Sequence, residues 1–71
     1  MMNEIIEINT EFIKLDQFLK FAGIMYSGSE AKIFILQGDI TVNGQVCYER
    51  GKKLHNDDIV TFNGTTYVVK K

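Results

Sequence analysis

The chain has 71 residues, 45% of them apolar and 24% charged, with a formal net charge of -1. A chain of this size buries only about 60% of the surface its unfolded form exposes, so it builds one small core, excludes a second domain and leaves little material for a catalytic cleft. The single cysteine, Cys47, excludes an internal disulfide and a cysteine-based zinc cluster, and no apolar run approaches the roughly eighteen residues of a membrane span.

The opening MMNEIIEINTEF lacks the basic head and long apolar run of a signal peptide, so a cytoplasmic location is expected. Within it EIIEI, rich in isoleucine and too brief for a helix, predicts a short first strand. In IKLDQFLKFAG, Leu15, Phe18, Leu19 and Ala22 recur at i, i+3, i+4 and i+7 and share one helical face. Asp16 stands in the first turn, where the helix dipole favours an acid, and Gly23 is placed to end the helix with a positive φ.

SGSEAKIFILQG supplies a second helix. Ser27 and Glu30 have capping-box spacing, in which each side chain accepts from the other's free backbone N–H. Ala31, Phe34 and Ile35 form the inward stripe, and Gly38 follows the helix end. Ile33 and Leu36 fall off that stripe, and spacing leaves open whether the first strand buries them or they form a contact surface. ITVNGQVCY then predicts a hairpin with a type I′ turn at Asn43-Gly44, and DIVTFNGTTYVV repeats the device at Asn63-Gly64. Between the hairpins runs a basic loop, ERGKKLHNDD. Strand, helix, helix and four short strands make an α+β domain, with two helices packed on a small, mainly antiparallel sheet.

Little in this order carries covalent chemistry. Asp57-Asp58 reads as turn chemistry, because adjacent turn carboxylates rarely converge and no third ligand stands nearby. His55 reads as a solvated loop histidine and Cys47 as a small filler within a strand. No dinucleotide-binding or phosphate-loop glycine pattern is present. No enzyme, cofactor, metal or small-molecule substrate is expected, and no membrane partner.

The charges are unevenly spread. Residues 1–13 carry Glu4, Glu7 and Glu11 and no base, whereas residues 14–56 carry Lys14, Lys20, Lys32, Arg50, Lys52 and Lys53 against Asp16, Glu30, Asp39 and Glu49. Lys20 and Lys32 lie off the apolar stripes and should point outward. Local field outweighs the net sum when charges sit within a Debye length, about 8 Å at physiological salt. The backbone N–H groups at the Ser27–Glu30 helix start offer a further anion site, for which Glu30 competes.

The run LDQFLKFAG…SGSEAKIFILQGDITVNGQV…GKKLHNDDIVTFNG resembles the S-four, or alpha-L, RNA-binding domain family over about Ile13 to Gly64, and within it the small stand-alone bacterial proteins. The resemblance implies one RNA-binding domain spanning residues 1–71, with its core motif at 13–64. It implies RNA contacts from Lys14, Gln17 and Lys20 on the first helix, from Ser27, Ser29 and Lys32 on the second, and from Lys52 and Lys53 in the loop; Arg50, beside them, joins the set. Many members place an arginine directly after the capping serine, where this chain has Gly28. Many also have Pro-Gly-Asp where Asn56-Asp57-Asp58 stands.

The expected function is a non-catalytic module that recognises structured or double-stranded RNA, ribosomal RNA foremost, by charge and shape. The alternative is a protein-interaction adaptor whose exposed patch is Phe21, Ile33 and Leu36. DNA binding is a weaker third reading, since neither a recognition-helix pattern nor strong positive charge supports it.

Overall fold

The computed structural model describes residues 2–71. The elements in chain order are β1 (Met2–Glu7), β2 (Ile13–Lys14), α1 (Leu15–Phe21), α2 (Gly28–Leu36), β3 (Ile40–Val42), β4 (Gln45–Val46), β5 (Lys53–Leu54), β6 (Ile59–Phe62) and β7 (Thr65–Lys70). Five strands form one sheet in the order β1-β7-β6-β3-β4, and β2 pairs with β5 in a separate two-stranded ladder. All pairings are antiparallel except β1 with β7, which run parallel from Met2↔Thr65 to Glu7↔Lys70.

The α+β class and the mainly antiparallel sheet agree with the sequence expectation. The strand count does not: five strands follow the helices, because Lys53 and Leu54 of the expected basic loop form β5. Cys47 also lies just past β4 and is half-buried, its Sγ 3.6 Å from the Glu49 carbonyl.

Local chemistry explains the element ends. Gly23 (φ +74°) and Gly38 (φ +81°) close the helices in the left-handed region that a Cβ disfavours. Both hairpins are type I′ as expected, with Asn43 and Gly44 at φ +52° and +85°, and Asn63 and Gly64 at +51° and +83°. Ser27 Oγ accepts from the Glu30 N–H at 3.1 Å. The return bond of the expected capping box is shifted by one residue, however: Glu30 Oε1 accepts from Tyr26 N–H at 2.9 Å, not from Ser27.

The inner stripes of both helices meet one face of the sheet. Leu15, Phe18 and Leu19 of α1 and Ala31 and Ile35 of α2 are fully buried against Ile40, Val60 and Val69, with Leu54 of β5 sealed beneath. Phe34 is half-buried and packs edge-on against Phe62, ring centroids 5.3 Å apart. Burying a side chain the size of Phe18 or Leu19 stabilises by about 1.5–3 kcal/mol each, so these few residues dominate the stability of so small a core.

Candidate functional site

Three segments converge at the start of α1. Its first two N–H groups do not wait for solvent: Leu15 N–H donates to the Lys52 carbonyl at 2.8 Å and Asp16 N–H to the Arg50 carbonyl at 3.1 Å. Gln17 N–H donates to Asp16 Oδ1 at 2.8 Å. Three free donors of the helix start are thereby satisfied, and the basic loop is pinned to the helix. The other oxygen, Asp16 Oδ2, accepts from Arg50 Nε at 3.1 Å. Asp16 is buried although it is charged, which is tolerable because both its oxygens are hydrogen-bonded.

The guanidinium that Asp16 holds then reaches α2. A Cβ built at Gly28 would stand 3.8 Å from Arg50 Nη2. The position after the capping serine lacks an arginine of its own, and a guanidinium arrives there from the loop instead. At that distance it is in ordinary contact with the Gly28 position. The sequence hinted at neither half of this arrangement, since Asp16 and Arg50 are 34 residues apart.

The β2–β5 ladder sets Lys14 directly opposite Lys53. Cross-strand partners share a face, with Cβ atoms about 4.5–5.5 Å apart, and like charges so placed destabilise a sheet. Ile13↔Leu54, the neighbouring pair, turns inward. Lys53 Nζ lies 4.8 Å from the centroid of the Phe12 ring, whose face attracts a cation. Phe12 also tilts against His55 at 6.1 Å.

The remaining expected contacts sit on the helices' outer sides. Gln17 and Lys20 of α1 are exposed, Lys20 in its last turn. Ser29 and Lys32 of α2 are exposed, and so are Ile33 and Leu36, at 56% and 59%. These four recur at i, i+3, i+4 and i+7, so lysine, serine and two aliphatic side chains share one outward face of α2. Phe21 is 61% exposed. Ser27 is half-buried and spends its hydroxyl as the helix cap. The structure therefore brings Lys14, Arg50, Lys52 and Lys53 to the paired helix starts, with Lys20 and Lys32 farther along the outer surfaces.

Pairing sorts the cations into two groups. Lys70 is bonded to Asp57 and Lys71 to Glu11. The hydrogen bond from Lys71, and then its charge, hold the Glu11 carboxyl below the usual glutamate range. Lys14, Lys20, Lys32, Lys52 and Lys53 have no carboxylate partner among the described residues. Asp58 serves the turn, accepting from His55 N–H at 2.7 Å and from Asn43 Nδ2 at 3.1 Å. No metal-binding group of His, Cys, Asp and Glu occurs among the described residues, and no helix there is long and apolar enough to cross a membrane.

Comparison with known proteins places this geometry. The S4 domain family model matches residues 6–70. RlbA of Bacillus subtilis (strain 168), a probable ribosome maturation protein, is 42% identical over 59 residues, which cover 83% of each chain. The solution structure of YbcJ from E. coli, described as revealing an alpha-L motif involved in RNA binding, superposes with a TM-score of 0.72 at 28% identity. That match covers 94% of this chain and 86% of YbcJ. The 30S ribosomal protein S4e from Thermoplasma acidophilum shares the fold at a TM-score of 0.63 and 19% identity, over 84% of this chain and 32% of that one.

Proposed function

The chain belongs to the S4 domain family, and from that premise we propose that it is a non-catalytic RNA-binding module for structured or double-stranded RNA, with ribosomal RNA its foremost partner. The observation that carries the reading is the set of unpaired lysines, with Arg50, around the starts of α1 and α2. Lys14, Lys52 and Lys53 neutralise phosphates there, and Arg50 extends the row across Gly28 to α2. Lys20 and Lys32, with Gln17, Ser27 and Ser29, continue the contact along the helices. Such contacts fix orientation without reading sequence, which suits A-form RNA, whose deep major groove excludes side chains. A ribosome-maturation relative and a structural neighbour with an RNA-binding motif point the same way. In this reading residues 1–71 act as one domain in the cytoplasm.

Filter binding to a short RNA duplex across a salt series tests it. If about four phosphates are neutralised, log affinity falls against log salt with a slope near -3 to -4. A flat dependence rejects the mechanism. Lys32→Glu combined with Lys53→Glu should weaken binding with little change in thermal midpoint, since both side chains are exposed.

The exposure of Phe21, Ile33 and Leu36 favours a second reading, a protein-interaction adaptor docking on the outer side of α2. Ile33→Ser with Leu36→Ser separates the two. It abolishes partner capture in the adaptor reading and leaves the salt slope intact in the RNA reading.

A further inference from the structure

Beyond β4 lies an open groove of about 570 Å³, lined by Asn43, Gln45, Tyr48, Glu49 and Lys52 among others. A second hollow of about 470 Å³ shares Asn43, Glu49 and Lys52 with it and adds Lys53 and His55. The two hollows are neighbours through these shared residues, Tyr48 lining the first and Lys52 and Lys53 the second.

Tyr48 is 63% exposed, yet one edge of its ring rests against the chain. Its Cε1 and Oη lie where a Cβ at Gly38 would come within 3.2 Å. One edge of the ring is thus seated on bare backbone at the end of α2, at a residue whose φ of +81° already selects glycine. A tyrosine held this way presents a large surface at little cost in rotamer freedom. The groove's polar groups divide sharply. Asn43 is used up by Ile59 N–H and Asp58, and Asp58 by His55 and Asn43. Gln45, Lys52 and Glu49 make no side-chain hydrogen bond among the described residues, and Lys53 makes none beyond its contact with the Phe12 ring. A flat ring, an amide and two ammonium groups in sequence match a base followed by its phosphates. Glu49 accepts only from donors, so it disfavours bare phosphate and favours a base edge bearing an amino group.

We infer that this groove takes one unpaired nucleotide of RNA, its base stacked on Tyr48 and its flanking phosphates on Lys52 and Lys53. The inference rests on the RNA-binding reading above and narrows its ligand from a continuous duplex to one interrupted by an unstacked base, the form in which RNA offers base faces to aromatic side chains.

The test compares an RNA duplex carrying one unpaired 2-aminopurine with the same duplex fully paired. The protein should bind the interrupted duplex about five- to a hundredfold more tightly and quench the 2-aminopurine fluorescence. Tyr48→Ala should erase both the preference and the quench while leaving affinity for the paired duplex unchanged, and Tyr48→Phe should retain both. Equal affinity for the two RNAs, or a preference that survives Tyr48→Ala, overturns the groove's role and leaves the RNA-binding reading standing. Absence of binding to either RNA overturns both.

Discussion

Asp16 does two jobs with one carboxylate, and both concern position. One oxygen caps α1 through Gln17 N–H, and the other holds the Arg50 guanidinium beside Gly28. Asp16→Ala should therefore destabilise the fold by about 1–3 kcal/mol, which for a domain of this size lowers the thermal midpoint by about 4–8 °C per kcal/mol. Arg50→Ala should cost less than about 1 kcal/mol, because the arginine is half exposed and water replaces part of what is lost. A double-mutant cycle in urea should give a coupling energy above about 0.5 kcal/mol; strictly additive losses would mean that the pair is incidental.

At the scale of elements, the two hairpin turns look alike in sequence and differ in what they hold. Asn43 accepts from Ile59 N–H at 2.9 Å and donates to Asp58 Oδ1, tying the first turn to the start of β6. Asn63 has no side-chain bond among the described residues. Each Asn→Ala change incurs the strain of a positive φ, but Asn43→Ala also strands a backbone donor, so it should be the more destabilising by about 1–2 kcal/mol in equilibrium unfolding. This contrast marks the limit of what the chain discloses by inspection. Features set within a few residues were legible: both helices, the Ser27 cap, Gly23, Gly38 and both I′ turns. Features that join distant residues were not. The β2–β5 ladder has only two residues per strand, too few for a periodic signal, and it forms because Leu15 and Asp16 donate to loop carbonyls. The seating of Tyr48 on Gly38 likewise depends on where α2 ends relative to β4. Of the expected site, the basic loop was legible as a charge run, whereas its attachment to α1 was a matter of tertiary hydrogen bonding.

For the whole molecule, eight basic residues do unequal work. Lys70 and Lys71 are neutralised locally, whereas Lys14 and Lys53 face each other at a cost to the fold. Lys14→Gln with Lys53→Gln should accordingly reduce the salt slope of RNA binding by about two and leave the thermal midpoint unchanged or slightly raised. Lys70→Gln with Lys71→Gln should leave the slope alone. A different property follows from the parallel pairing of β1 with β7. Residues 2–7 have residues 65–70 as their only sheet neighbours among the described residues, so this pairing joins segments far apart in sequence. Until the two segments meet, the isoleucine-bearing strand has no sheet partner for its backbone donors. Joining β1 to the sheet is thus the step of longest loop closure, and the entropy of that closure sets a slow edge on an otherwise local fold.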